Sequence, residues 1–384
     1  MTHVFIVNEQ TFKVHLEYMF AGTGANCDAP FLENFEYQNP RKKQDGITST
    51  TERNLAGMIA DISRINPGDK IIFYLQASGA PGMFFGTFIA DSIAFYDSNE
   101  NNYLFDELGK NLNFRVMIKP LEIYSKGVSE YEALDSLKGI NHPSEMCWSL
   151  IYRKLKGNRG CTMITDAESD RLISLIRSKN ENVFLAGENF SYDINSKCII
   201  QNNNSHTYMG VQESIDIKNR MLVKANRRVA FESHLQAYIV QNIKNDPLSE
   251  LLELVSVDVW IGNEVSCGVG MQRIDIMTSY DNVDEVHINV IELKSVEAYK
   301  EIVEYQLPRY IDWIIDYIVP TYDKKVIITP IVLAKKFTSQ TNLDLFMNEC
   351  NSILPEDNES YEIKPITLIS FSYDTEEISF EKTF

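Results

Sequence analysis

The segment MQRIDIMTSY at residues 271–280 is followed, after a short turn, by EVHINVIELK at residues 285–294. Their composition and spacing predict two strands joined in a hairpin. Side chains alternate across a strand, so Asp275 points away from the isoleucines on either side of it, and Glu292 shares a face with Lys294. The hairpin would therefore bring these three charged groups together at one end of a sheet.

Two carboxylates held close together raise each other's pKa unless a cation neutralises them. Mg²⁺ suits such a site because it takes one or two carboxylates together with water and substrate phosphate oxygens. The pattern predicts that Asp275 and Glu292 bind Mg²⁺ or Mn²⁺, which would activate a water for attack on a phosphodiester. Lys294 would orient that water or stabilise the charge that develops.

Two predicted helices add polar side chains to this set. Glu232 falls on the inward face of a helix over about 227–244, and Gln306 falls on a helix over about 297–319 that also carries Tyr310. Gln306 could hydrogen-bond Lys294 or a metal-bound water. Each signal alone is also common on a solvated surface. Their order along the chain favours a catalytic set.

The chain closely resembles the C-terminal nuclease domain of the NucS/EndoMS-type endonucleases, which belong to the PD-(D/E)XK superfamily. The resemblance covers roughly residues 221–335 and rests on three segments in order: RIDIM (273–277), VIELK (290–294) and QLPRYIDWI (306–314). It implies Mg²⁺-dependent cutting of double-stranded DNA. It also implies roles for named residues: metal binding by Asp275 and Glu292, catalysis by Lys294, and support by Glu232 and Gln306.

Two features depart from that pattern. Pro308 lies inside the predicted helix of Gln306 and is expected to interrupt or kink it. The stretch between Asp275 and Glu292 is longer than the family pattern leads one to expect, so the turn around Asn282 is predicted to protrude.

The N-terminal half resembles the PUA-related EVE and YTH-like modules, more loosely. The similarity lies in ERNLAGMIADISRINPGDKIIFYLQ (52–76) and GMFFGTFIADS (82–92), and it is carried by Arg53-Asn54, Pro67-Gly68-Asp69, Phe73-Tyr74 and Gly86. It implies a small β-barrel that binds RNA or a flipped, modified base in an aromatic pocket. Stacking would supply roughly 1–3 kcal/mol per base, and hydrogen bonds to the base edge would add specificity.

Three aromatic residues are candidates for such a pocket. Trp148 is the first candidate because it lies near a basic stretch, and Tyr18 and Tyr74 are further candidates. The competing interpretation places Trp148 in the core, where most tryptophans on apolar faces are found.

Two short stretches are basic and contain no acidic residue. Either could contact phosphates of a nucleic acid or form an ordinary solvated face. Their cations are Arg153, Lys154, Lys156 and Arg159 in the first stretch, and Lys218, Arg220, Lys224, Arg227 and Arg228 in the second.

With 384 residues and 44% hydrophobic content, the chain is long enough for two domains. The predicted division is a PUA-like domain at 1–185, a polar linker or exposed loop at 186–220, and a nuclease domain at 221–384. The predicted fold class is an α+β barrel followed by an α/β restriction-endonuclease-like domain, with a mixed sheet flanked by helices.

The net charge of −18 argues against a protein that coats nucleic acid but allows a local basic strip. No apolar run is long enough to span a membrane, no secretion signal is evident at the N-terminus, and the six cysteines are scattered. These features predict a cytoplasmic protein with reduced thiols and no membrane partner.

The sequence predicts a Mg²⁺-dependent DNA endonuclease whose N-terminal module senses a modified or distorted base, in restriction or repair. Two-strand cutting would favour a homodimer. One alternative is a non-catalytic or RNA-directed binding protein that keeps a nuclease-like scaffold. Another is a mismatch-specific endonuclease whose N-terminal domain only dimerises.

Overall fold

The computed structural model describes most of the chain as mixed α and β structure. The residues described are 1–24, 52–76, 79–99, 103–147, 150–155, 160–227, 231–256, 258–267, 272–298, 305–337, 348 and 351–383. They form two compact units, Met1–Ile215 and Asp216–Phe384. No helix within those ranges has the length and apolar character needed to cross a membrane.

The first unit is built on a mixed sheet that curls into a half-barrel. Its main path has the order β2-β6-β4-β3-β1-β8, with β5 beside β6 and β7 beside β4. Only β1 and β3 are parallel among these pairs. The strands are β1 (Thr2–Val7), β2 (Phe20–Thr23), β3 (Lys70–Leu75), β4 (Met83–Ala90), β5 (Phe95–Tyr96), β6 (Phe114–Pro120), β7 (Val128–Ser129) and β8 (Cys161–Ile164).

Short helices surround this sheet. They are α1 (Glu9–Tyr18), α2 (Glu52–Ser63), α3 (Phe105–Leu108), α4 (Glu130–Asp135) and α5 (Asp166–Lys179). The start of α5 is fixed by a reciprocal cap, because Thr165 Oγ1 accepts from the Glu168 N–H at 3.2 Å and Glu168 Oε2 accepts from the Thr165 N–H at 3.0 Å. This arrangement can be read directly from the sequence.

The second unit is a mixed sheet in the order β11-β12-β13-β14-β16-β17, with β15 beside β14. Strands β12 and β13 form an antiparallel hairpin, and β13, β14 and β16 run parallel. The strands are β11 (Trp260–Ser266), β12 (Arg273–Asp281), β13 (Glu285–Ala298), β14 (Lys325–Phe337), β15 (Tyr361–Ile363), β16 (Thr367–Tyr373) and β17 (Ile378–Lys382). The helices are α6 (Lys218–Asn226), α7 (Glu232–Asn242), α8 (Leu248–Leu251) and α9 (Leu307–Tyr317).

Two expectations for this unit need correction. Pro308 does not interrupt α9, because it lies in the first helical turn, where proline is well tolerated. The turn at Asn282 is tight: the Asn282 N–H donates to Glu285 O at 2.8 Å. The long spacing between Asp275 and Glu292 is instead taken up by the length of strands β12 and β13.

A buried ionic network holds one part of the first unit together. Arg115 on β6 is fully buried and donates to Asp97 Oδ2 at 2.7 Å and to Asn99 Oδ1 at 2.6 Å. It also donates to the Tyr208 hydroxyl at 2.8 Å. The aromatic ring of Phe20 lies 4.9 Å from the guanidinium carbon. A buried guanidinium is tolerated only when its charge and its donors are satisfied in this way.

The stretch 186–220 was predicted to be a linker or exposed loop, but the structure assigns most of it to the first unit. Residues up to Ile215 belong to the first unit. They include the hairpin of β9 (Phe190–Asp193) and β10 (Cys198–Gln201), in which Tyr192 is buried with its ring 5.1 Å from that of Phe12. The polar composition of the stretch hides the few aromatic side chains that attach it to the unit.

We predict that Asp97→Asn lowers the free energy of unfolding of the first unit by roughly 3–5 kcal/mol, because it leaves the Arg115 charge buried without a counter-ion. The matched control is Asp91→Asn, which breaks an ion pair with Lys119 between half-exposed side chains and should cost less than about 1 kcal/mol. Urea denaturation of both variants measures the difference. Equal, small losses would contradict the assigned role of the network.

Candidate active site

The structure brings the predicted trio together. The hairpin register pairs Ile276 with Ile291, which sets Asp275 beside Glu292 on the neighbouring strand. The Leu293 N–H donates to Asp275 Oδ2 at 2.8 Å, and Lys294 Nζ donates to Glu292 Oε1 at 2.7 Å. Period-two alternation along the strands is therefore sufficient to predict this convergence.

Neighbouring groups fix the position of the trio. On α7, Gln236 Nε2 donates to the Asp275 carbonyl oxygen at 2.8 Å and so ties the helix to β12. Lys294 Nζ also donates to Leu293 O at 2.9 Å. These contacts hold the Asp275 backbone and the Lys294 ammonium in place.

Glu232 lies at the rim of the trio. It is the first residue of α7 and is exposed, whereas the apolar residues that follow it face inward as predicted. Its Oε2 accepts from the Ser295 N–H at 3.3 Å, and its charge contributes to raising the pKa values of Asp275 and Glu292. The inward orientation expected for Glu232 is therefore wrong, because a helix-terminal residue is not held by the packed face.

A cleft of about 590 Å³ opens onto the trio. Gln306 lines it from the position just before α9, whereas the sequence predicted it inside a helix over about 297–319; the helix starts later because β13 continues to Ala298. The other lining residues are Glu264, Gln272, Arg273, Asp275, Glu292, Lys294, Arg309 and Tyr310. The lining is mostly polar and charged, which suits an ionic substrate.

The trio is electrostatically strained. Burial raises the pKa of the Asp275 carboxyl well above its usual range, and the negative charge of Glu292 raises it further. Burial also raises the pKa of Glu292, against the opposing charge of Lys294. Burial alone would lower the pKa of Lys294, but the carboxylates of Glu292 and Asp275 outweigh it and the pKa rises. One lysine thus compensates only part of two buried negative charges.

The donor set fits a hard divalent cation. Glu292 is 2% exposed, and its buried Oε2 has no donor at full hydrogen-bond geometry among the described residues. Asp275 Oδ1 likewise accepts no hydrogen bond from that part of the chain, and Asp275 lines the cleft. Within the described ranges, no group of three or more His, Cys, Asp or Glu side chains could hold a metal ion. A cation here would have two protein carboxylates and complete its shell with water and substrate oxygens, as Mg²⁺ commonly does.

Tyr310 is a member of the site that the sequence analysis noted only as part of a helix face. It is buried, and its hydroxyl lies near enough to the Glu292 carboxylate to lower the pKa of that carboxyl. Burial, followed by the charge of Glu292, raises the pKa of Tyr310 itself. Tyr310 lies four residues after Gln306, and this spacing could have been used to predict that both residues face the site.

Arg273 and Glu264 were not foreseen. Arg273 lies two residues before Asp275 and therefore shares its face of the strand. This spacing in the sequence could have been used to predict Arg273 as a member of the site. Glu264 reaches the cleft from β11, and its Oε2 accepts from Arg273 Nη1 at 2.9 Å. Its backbone has φ of 51°, a left-handed conformation that no sequence pattern predicts for glutamate in a strand.

The predicted phosphate contacts have a mixed outcome. Arg220 is buried on the packed face of α6, so it presents no free guanidinium to a nucleic acid, and this prediction is corrected. Lys218 and Lys224 are half-buried and Arg227 is exposed, so their predicted role is untested. The remaining cations fall outside the described residues, or have side chains that do: Arg153, Lys154, Lys156, Arg159 and Arg228.

The predicted base pocket does not form around Tyr74. Its ring is 2% exposed within the core, and its hydroxyl donates to Glu130 Oε2 at 2.8 Å. Tyr18 is half-buried, with its ring 4.9 Å from that of His206. Trp148 lies outside the described residues. Tyr74 therefore serves packing, because an apolar strand face turns its aromatic residues inward.

The first unit has a different cleft, of about 430 Å³. Phe184, more than half exposed, is the accessible aromatic residue of its lining, and Lys119 and Glu188 supply opposite charges. The sequence analysis named none of these residues, since they come from separate loops and strands.

No protein-family model and no curated protein matches this chain. Among solved structures, a hypothetical protein from Leishmania major is 10% identical, with a TM-score of 0.29, over 46% of this chain and 95% of that one. Human THYN1 protein, in complex with DNA containing 5-methylcytosine, is 11% identical, with a TM-score of 0.26, over 45% of this chain and 96% of that one. At such TM-scores neither likeness supports a conclusion about fold or function.

We predict that Asp275→Asn stabilises the metal-free protein above neutral pH. In the wild-type protein the folded state holds protons on these two carboxyls more tightly than the unfolded chain does, because their pKa values are raised. The wild-type protein therefore loses stability as pH rises through the raised pKa values, and the variant loses less. The amide removes one of the two charges and can still accept from the Leu293 N–H. Each kcal/mol of repulsion relieved should raise the Tm by roughly 2–4 °C.

Thermal unfolding in a chelator at pH 5 and pH 8 measures this effect. Asp284→Asn is the matched control, since Asp284 is an exposed aspartate in the same hairpin. A gain for Asp275→Asn that is larger at pH 8 than at pH 5, with no gain for the control, is expected. A less stable Asp275→Asn variant at pH 8 would show that the carboxylates do not repel each other.

Proposed function

We propose that this protein is a Mg²⁺-dependent endonuclease that hydrolyses phosphodiester bonds in DNA. The observation that carries the proposal is the convergence of Asp275 and Glu292 with Lys294 in one polar cleft, where the buried Glu292 Oε2 has no well-placed donor in the part of the chain that the structure describes. The resemblance of the three ordered segments to the NucS/EndoMS-type nuclease domain supports the same function.

In this proposal each side chain has a separate task. Asp275 and Glu292 would hold the cation, which would polarise the phosphate and lower the pKa of a water bound to it. Lys294, held by Glu292 and by the Leu293 carbonyl, keeps its ammonium charge near the phosphate and stabilises the developing negative charge. Gln306 lines the cleft and orients the attacking water.

Tyr310 is assigned a positioning role in the same proposal. Its hydroxyl lies near enough to the Glu292 carboxylate to lower the pKa of that carboxyl, and it would hold this ligand in one orientation. Partners of this kind around a metal ligand typically change metal affinity or activity by about 10–100-fold. The buried ring also excludes bulk water from one side of the cleft.

The first unit is proposed to sense a modified or distorted base. The support is the resemblance to EVE and YTH-like modules. The cleft beside Phe184, with an aromatic face and the polar ends of Lys119 and Glu188, could stack a flipped base and bond its edge. The proposed roles are restriction of modified DNA and DNA repair. A homodimer would supply the two sites that two-strand cutting needs.

The competing functions make different physical demands. A non-catalytic or RNA-directed scaffold has no use for two buried carboxylates side by side, since their repulsion costs free energy that nothing in such a protein recovers. A mismatch nuclease with a dimerising first unit would keep the same catalytic cleft. Only the choice of substrate separates it from the modification-sensing enzyme.

We predict that the protein cuts DNA duplexes in Mg²⁺ or Mn²⁺ and not in a chelator. Asp275→Ala and Lys294→Ala should each lower the cleavage rate by at least about 10²–10³-fold, because the first removes a proposed cation ligand and the second removes the group that stabilises the developing charge. Asp284→Ala, in the same hairpin but exposed, should cut at the wild-type rate.

The substrates for this assay are unmodified duplexes, duplexes with modified bases, a duplex with a single mismatch, and RNA. Cutting confined to modified duplexes supports base sensing, and cutting confined to the mismatch supports the mismatch enzyme. Full activity in Asp275→Ala or Lys294→Ala would remove the assignment. Tight RNA binding with no cutting of any substrate would favour the scaffold.

A further inference from the structure

The positively charged side chains that line the cleft differ in whether they already form an ion pair. Lys294 is paired with Glu292 at 2.7 Å, and Arg273 is paired with Glu264 at 2.9 Å. Neither can bind a substrate phosphate at full strength without loosening an existing ion pair. Arg309 also lines the cleft, and no ion pair of its guanidinium is found within the described ranges.

Arg309 is positioned for a contact near the mouth of the cleft. It lies in the first turn of α9, three residues after Gln306 and directly before Tyr310, and all three line the cleft. Tyr310 is buried against Glu292, whereas Arg309 is exposed. The helix therefore presents the tyrosine to the carboxylates and the guanidinium to the solvent side.

Arginine suits phosphate because its planar fork donates two parallel hydrogen bonds and its charge persists at any working pH. The phosphate that is cut must lie over Asp275 and Glu292, where the cation and Lys294 act. A guanidinium at the mouth is better placed for another phosphate of the same strand.

We propose that Arg309 binds a phosphate of the substrate strand next to the one that is cut, and so positions that strand across the cleft. This inference rests on the proposed nuclease function. Its consequence is a substrate requirement: the strand must carry a charged phosphate beyond the scissile one for full binding.

Binding without cleavage tests the proposal. A fluorescein-labelled DNA duplex is titrated with protein in EDTA, and anisotropy is followed over a range of salt concentrations. Arg309→Ala should bind roughly 10-fold more weakly at low salt, and the slope of log K against log salt should fall by about 0.9, the value for one lost phosphate contact. Arg309→Lys should restore the slope and only part of the affinity, because lysine keeps the charge but not the fork.

Lys324→Ala is the matched control for the loss of one positive charge. Lys324 pairs with Asp281 at the end of β12 remote from Asp275, so its removal should leave both the affinity and the slope unchanged. Duplexes carrying one neutral methylphosphonate at successive linkages then locate the contact. At one linkage the neutral methylphosphonate should weaken duplex binding by the wild-type protein. The same substitution should not weaken binding by Arg309→Ala any further.

The inference would be overturned if Arg309→Ala kept the wild-type slope of log K against log salt. It would also be overturned if every methylphosphonate that weakens binding by the wild-type protein weakened binding by Arg309→Ala equally. A wild-type protein that binds no duplex would also overturn it. The readout needs neither metal nor cleavage. Failure of the nuclease proposal would appear instead as unchanged cutting by Asp275→Ala, so the two failures are distinguishable.

Discussion

The burial of Glu292 beside Asp275 is the constraint on which the second unit depends. Two carboxylates in a partly desolvated cleft cost free energy, and a single ammonium, Lys294, offsets only part of that cost. A fold keeps such an arrangement when a further positive charge is supplied from outside. Under the proposed function a divalent cation would supply that charge, and Glu292 Oε2, which has no well-placed donor among the described residues, would be one of its ligands.

The surrounding architecture can be understood as support for this cluster. The hairpin register sets the two acids side by side, and the hydrogen bond from Gln236 ties α7 to the Asp275 backbone. Gln306, just before α9, and Tyr310, within it, also line the cleft. Because β13 is buried between β12 and β14, the trio rests on a rigid element, which a preorganised site requires.

The sequence was most informative where local rules act alone. Alternation along two strands joined in a hairpin predicted the convergence of Asp275 with Glu292. Pro308 was misjudged because a helix start could not be located to within one turn by periodicity. That one-turn difference decides whether a proline breaks a helix or begins it.

What the sequence could not show depends on contacts between distant residues. Arg115 and Tyr208 are far apart in the chain, and nothing local marks them as one buried network. Arg220 was predicted as a possible phosphate contact because it lies in a basic stretch without acidic residues, yet it lies on the packed face of α6. Similarly, the contrast between Arg309, which has no ion pair among the described residues, and the paired Arg273 and Lys294 becomes evident only from the structure.

The most direct test of the central claim is calorimetric titration of the protein with Mg²⁺ in two buffers of different ionisation enthalpy, which counts the protons released on binding. We expect one site near the paired carboxylates, with proton release that grows as pH falls, because the cation replaces protons held by raised carboxyls. Glu292→Gln should abolish that binding. Undiminished Mg²⁺ binding by Glu292→Gln, or no binding by the wild-type protein at millimolar Mg²⁺, would contradict the account.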